Sequence, residues 1–174
     1  GIHLIVGLGE TEEETIEIIH RAYSMGALTH LFSFFPEEGS LMHQHKQPPI
    51  GTYRRVQLAR YLINKGMTSA DRMKFDGDGK VVGFGIDKNA LENVIGSGLP
   101  FMTSGCSTKN MDNACNRPFS DSTPYQAYVG ELRNFPFAPD EKDVRIIRNQ
   151  LVDYSDTPRG VWVEGLDCQD CPSA

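Results

Sequence analysis

Four cysteines and one glycine-rich turn are the residues of this 174-residue chain whose types and spacing could do chemistry. Cys106, Cys115, Cys168 and Cys171 all fall in the C-terminal part, two of them as a tight Cys168-x2-Cys171 pair. Nothing in the sequence suggests secretion, and in a reducing compartment clustered thiolates bind metal or react more often than they form structural disulfides. Four soft sulfur ligands suit tetrahedral Zn²⁺ or an iron–sulfur cluster. A zinc ribbon normally carries two tight pairs, and Cys106 and Cys115 are too widely spaced for that. At the other end, His3-Leu-Ile-Val-Gly7-Leu-Gly9-Glu10-Thr11 is an apolar run that breaks into Gly-x-Gly and flows into an acidic helix start. Strand, glycine turn and capped helix make a βα unit, and ligand chemistry in such units gathers where the strand ends.

The elements that must position these residues follow from local signals. Thr11 with Glu14 predicts a capping box, and Ile16, Ile19, Ala22 and Tyr23 predict an apolar stripe that Gly26 terminates. A second strand is predicted over 29–34, then a polar loop with His43, His45 and Pro48-Pro49. A helix from about Thr52 buries Val56, Ala59, Leu62 and Ile63 and stops at Gly66. A strand over 72–75, the turn Asp76-Gly-Asp-Gly79, an extended piece over 81–84 and a helix opened by Asp87 come next. Leu99-Pro-Phe-Met-Thr103 reads as the last strand of the series, with Cys106 just past its end. The stretch from there to Pro139 reads as loop, and Asp140 caps a closing helix striped by Val144, Ile147 and Leu151. Apolar strands alternating with helices predict an α/β fold whose sheet is parallel and helix-covered, with strands at 3–7, 29–34, 72–75 and 99–103. A βα barrel and an open doubly wound sheet both satisfy this pattern.

Resemblance separates the two. The phrase carrying Ile5, Gly7 and Glu10 resembles the fourth-strand motif Gly-x-Ile-x-Gly-x-x-Glu of radical S-adenosylmethionine (SAM) enzymes, with His3 in place of the first glycine, and its Gly-Leu-Gly-Glu-Thr wording is closest to biotin and lipoyl synthases. Pro36-Glu-Glu-Gly39-Ser40-Leu41 resembles the fifth-strand exit of that group, and Ser97-Gly-Leu-Pro-Phe-Met-Thr-Ser-Gly105 its last-strand phrase. Thr103-Ser-Gly-Cys106 followed by Cys115-Asn-Arg-Pro-Phe-Ser is similar to the C-terminal region of two-component lipoyl synthases. The resemblance implies the C-terminal half of a TIM-like (β/α) radical SAM barrel over residues 1–105, with a loop, closing helix and cysteine-containing tail over 106–174 packed on it. It implies that Ile5, Gly7, Gly9 and Glu10 contact SAM, the glycine at 7 letting the backbone approach the ligand. Radical SAM chemistry needs a [4Fe–4S] cluster on a Cys-x3-Cys-x2-Cys triplet, and this sequence has none, so the chain is expected to be a fragment whose SAM-binding cluster is held elsewhere, with no catalytic residue assigned within it.

On that resemblance, the four cysteines hold an auxiliary [4Fe–4S] cluster that donates sulfur to an octanoyl chain on a lipoyl domain or carrier protein, with a second radical SAM subunit as a further partner. The common single-chain lipoyl synthase draws its auxiliary ligands from an N-terminal cysteine motif and a C-terminal Arg-Ser-Ser-Tyr, and neither is visible here. Two alternatives stand beside this reading: a biotin-synthase-like or other radical SAM enzyme with a different substrate, and a non-catalytic zinc-binding α/β module. Other candidates carry less: His43 and His45 read as solvent-facing and Asp76-Gly-Asp-Gly as a turn lacking the remaining calcium ligands, while Arg117 and Arg133 with Tyr125, Tyr128 and Phe135 could clamp a carboxylate or a partner domain, with surface packing the preferred reading for each. Seventeen basic against 23 acidic residues give a net charge of −6, which argues against a nucleic-acid surface. No apolar run approaches the ~20 residues of a membrane span, so a cytoplasmic protein is expected.

Overall fold

The computed structural model describes residues 1–103, 121–122, 124–129 and 131–155. Its first half is a βαβα unit: β1 (Ile2–Val6), α1 (Glu12–Ser24), β2 (Thr29–Ser33) and α2 (Ile50–Asn64). β1 and β2 pair in parallel, Ile2 opposite Thr29 through Val6 opposite Ser33. The capping box forms as the sequence requires, with the Glu14 N–H donating to Thr11 Oγ1 and the Thr11 N–H donating to the Glu14 carboxylate at 2.8 Å. Gly26 and Gly66, at φ of 79° and 65°, end α1 and α2 in the left-handed conformation that an L side chain resists.

Both helices lie on one face of the two-stranded sheet. Val6 and Leu31 pack there with Ile16 and Ile19 of α1 and with Tyr53, Val56, Ala59 and Ile63 of α2. Each fully buried aliphatic side chain contributes about 1.5–3 kcal/mol over leaving it in water. The far side of α2 places Leu58 and Leu62 in a second core with Ile95, Phe101, Phe135, Ile147 and Leu151. α2 is therefore the central element, buried on both sides, and its polar residues Arg54, Arg55 and Gln57 are buried too. Its first turn meets the end of α5 (Glu141–Leu151) so closely that a Cβ on Gly51 would lie 2.2 Å from the Asp153 carbonyl oxygen.

Two predicted strands of the parallel series take other forms. Lys74–Phe75 (β3) is antiparallel to Val81–Gly83 (β4) in a separate hairpin, because the Asp76 carboxylate accepts the N–H groups of Asp78 and Lys80 and folds the chain back on itself. Leu99–Phe101 is a 3-10 turn: Gly98 enters it at φ 70° and Pro100 has no N–H to give to a ladder. Only Met102 makes a bridge, parallel, to Phe135. The helix after Asp87, α3 (Lys88–Gly96), and the closing helix α5, with its Asp140–Asp143 capping box, form where their caps place them. A short helix, α4, spans Pro124–Tyr128. Among the described residues the strands make one parallel and one antiparallel pair, and no helix is long and apolar enough to cross a membrane.

Candidate functional site

In a parallel pair, residues in register share a face. With Val6 and Leu31 turned to the helices, His3 and Ile5 of β1 share the opposite face with His30 and Phe32 of β2. That face is uncovered by the described residues: Ile5 is 51% and Phe32 36% exposed. The His3 ring stands edge-on to both His30 and Phe32, each at 5.4 Å between centroids, and beyond the strand end Phe34 meets His45 at 5.2 Å. The result is a shallow wall of rings with a branched aliphatic group at the C-terminal end of β1, chemistry suited to lying against a planar, partly apolar ligand.

The glycine turn sits directly above it. Glu10 bends back so that one carboxylate oxygen accepts the Gly7 N–H at 2.7 Å and the other the Leu8 N–H at 2.9 Å. Nε2 of His45 lies 2.9 Å from the Gly7 carbonyl oxygen, which can only accept, so this nitrogen carries the ring proton. Gly7 (φ 103°) is explained by a neighbour in the chain: a Cβ there would lie 2.5 Å from the Pro48 ring. The backbone approach expected for a ligand is thus occupied by Pro48, whereas Gly9 (φ 123°) has open space around it. Between the turn, the start of α1, loop 45–49 and the β3–β4 turn lies a cleft of about 310 Å³ lined by Gly7, Gly9, Glu10, Lys46, Thr52 and Lys80.

Of the residues picked out by sequence, Gly7, Gly9 and Glu10 therefore meet at this cleft, while Ile5 faces the open sheet wall instead. Cys106, Cys115, Cys168 and Cys171 lie outside the described residues. His45, read as solvent-facing, is half-buried and tied to the turn. Among the described residues no group of three or more His, Cys, Asp or Glu is placed to hold a metal ion.

Two buried polar networks frame the site. At the start of α1, Glu12 and Arg55 are 3% and 1% exposed. Both carboxylate oxygens of Glu12 face Arg55, the closest contact being 2.6 Å, and Glu12 also accepts the Val81 N–H at 2.8 Å. Arg55 continues to the Leu151 and Asp153 carbonyls and stacks on Tyr154 at 4.1 Å. The network joins α1, α2, β4 and the end of α5.

The second network closes the outer edge of β2. The Tyr53 hydroxyl lies 3.2 Å from the Leu31 carbonyl oxygen and accepts from Asn134 Nδ2 at 3.0 Å; Asp121 accepts from Asn134 at 2.7 Å and from the Ser33 N–H. Burial raises the pKa of both Tyr53 and Asp121. Among the described residues Arg54 donates to neutral groups only, including Gln150 at 2.8 Å and the carbonyls of Leu132 and Arg133. Burial, and secondarily the nearby Arg133 charge, pull its pKa down to about 9; burial pulls Arg133 down to about 10. Polar spacing on α2 gave no sign of this network, since its partners come from distant loops. Comparison with protein-family models, curated proteins and solved structures finds no match for this chain.

Proposed function

We propose that this chain is part of a radical SAM sulfurtransferase, lipoyl-synthase-like, that acts on an octanoyl chain carried by a lipoyl domain or related carrier protein. The observation that carries the reading is the βαβα unit itself: parallel strands, both helices on one face, and the other face open, with Ile5 at the C-terminal end of β1. In a βα barrel such a face is the inner wall, and the strand ends form the catalytic mouth.

The wall fits half of a SAM site. Ile5 is exposed where a flat ring would rest, and Phe32 and His3 extend the surface that would keep water from it. Glu10 has both oxygens committed to Gly7 and Leu8, so its work is to hold the turn rather than to grip the ligand's sugar; His45 holds the same turn from the carbonyl side. SAM on a reduced [4Fe–4S] cluster supplies a radical able to take hydrogen from a carbon that no side chain can deprotonate. The cluster that binds SAM would be held by a Cys-x3-Cys-x2-Cys segment outside this sequence. The case for Cys106, Cys115, Cys168 and Cys171 as ligands of an auxiliary sulfur-donating cluster rests on their sequence pattern.

The test uses the complete gene product, reconstituted with iron and sulfide, offered octanoyl-peptide or dethiobiotin in separate reactions. We expect iron with acid-labile sulfide and thiolated octanoyl product, and we expect Cys106→Ala to keep 5′-deoxyadenosine formation while losing that product. Sulfur insertion into dethiobiotin alone would favour the biotin-synthase-like alternative. Stoichiometric zinc without SAM cleavage would replace both with a metal-binding module.

A further inference from the structure

Arg133 is 2% exposed, yet among the described residues its Nε and Nη1 have no hydrogen-bond partner, while Nη2 donates to the Pro48 carbonyl at 2.7 Å. No carboxylate lies within 4 Å of this guanidinium among the described residues. Two acids act on it from further off, Glu131 and Asp121, and the Asp121 carboxylate is already engaged by Asn134 and the Ser33 N–H. The buried Arg54 guanidinium lies close enough to feel the Arg133 charge, and its donors are spent on neutral acceptors among the described residues. Tyr53 presents its ring to Arg133 at 5.8 Å, a weaker compensation than a counter-ion.

Taking a charge out of water without pairing it costs several kcal/mol, which is why buried charges are almost always paired or ligand-bound. Holding the Pro48 carbonyl requires one neutral donor, not a cation with two idle nitrogens. Gln47 and Asp121, which adjoin Arg133 through Pro48 and Asn134, are part-buried. We propose that Arg133 is the anchor of an oxyanion-binding site, taking a carboxylate or phosphate group on Nε and Nη1 in the positive field it shares with Arg54. The site lies behind Pro48, distinct from the open sheet wall, and stands or falls independently of the radical SAM reading.

The probes are inorganic phosphate and acetate, each titrated into the complete protein against chloride at constant ionic strength, with thermal unfolding and the Arg133 Nε–H NMR signal as readouts. We expect a saturable rise in Tm of roughly 5–10 °C at a hundredfold excess over Kd, and a shift of that Nε–H signal over the same concentrations. A response to phosphate alone assigns a phosphate-bearing ligand, and one to acetate a carboxylate. Arg133→Met should abolish the saturable response. If Arg133→Met does not fold, the Nε–H titration of the parent decides alone. An unmoved Nε–H signal, or a Tm response that survives in Arg133→Met, overturns the proposal.

Discussion

Arg54 and Arg55 are neighbours on one helix, equally buried, and solve the burial of a guanidinium in opposite ways. Arg55 has a carboxylate, Glu12, facing it with both oxygens. Arg54 and the nearby Arg133 have carbonyls, amides and aromatic rings. The contrast teaches that the Glu12 side of α2 is built for cohesion, fixing four elements together, whereas on the other side the described residues give the buried Arg54 and Arg133 guanidinium groups no carboxylate within hydrogen-bond distance. Positions that cost stability without structural need are where function is to be sought.

Breaking the compensated side should have the largest effect. Glu12→Gln leaves Arg55 buried and unpaired, and we expect a loss of about 3–5 kcal/mol, read as a fall in the urea midpoint at unchanged slope. Arg54→Met removes a charge along with its hydrogen bonds, leaving the Leu132 carbonyl without its Arg54 donor while Gln57 still serves the Arg133 carbonyl, and should cost less, about 1–3 kcal/mol. An Arg54→Met loss equal to that of Glu12→Gln would erase the distinction between the two sides.

The glycine turn sharpens the contrast between residues fixed by packing and residues left open. Gly7 and Gly9 share positive φ, but only Gly7 has Pro48 against it. Gly7→Ala should therefore destabilise by about 2 kcal/mol or more and Gly9→Ala by about 1 kcal/mol, compared by thermal unfolding of the two variants.

A smaller effect separates the two arginines by pH. Burial, and secondarily the Arg133 charge, hold the Arg54 pKa in the folded chain at about 9, below the ordinary arginine value it recovers on unfolding. Above pH 9 the unfolded chain thus binds more protons than the folded one, so this group's contribution to stability rises with pH and its penalty is present in full below pH 9. We expect parent stability minus that of Arg54→Met to grow between pH 8 and 10.5, measured by urea midpoints; a flat or falling difference would show that Arg54 is not strained by burial.

Signals within one turn of chain were legible in the sequence: Thr11 with Glu14, Asp87, Asp140, and the glycines at 26 and 66 all do what their types dictate. So was the first βα unit, whose apolar strand and capped helix are adjacent in the chain. Leu99–Phe101 looked like a strand by composition, but Gly98 and Pro100 turn it into a 3-10 element. The 74–83 hairpin was hidden because two apolar pieces flanking a turn read equally well as members of a parallel series. Gly7, Gly9 and Glu10, picked out by sequence, line the cleft, whereas the Glu12–Arg55 pair gave no sequence signal, because its partners lie far apart in sequence and Glu12 sits in an acidic run that resembles a solvated helix start. His45 and Pro48 were likewise invisible as partners of the turn, since only the folded loop brings them to Gly7.

The most direct measurement of the central claim is SAM cleavage by the complete gene product carrying Ile5→Asp. Ile5 is half-exposed, so the change should move Tm by no more than about 2 °C. We predict that 5′-deoxyadenosine formation nonetheless falls at least about tenfold, as loss of roughly 1.4 kcal/mol of apolar contact with the bound ligand requires. Parental rates in the Ile5→Asp protein, or no SAM cleavage by the parent itself, would contradict the assignment of the open sheet face as the SAM-binding wall.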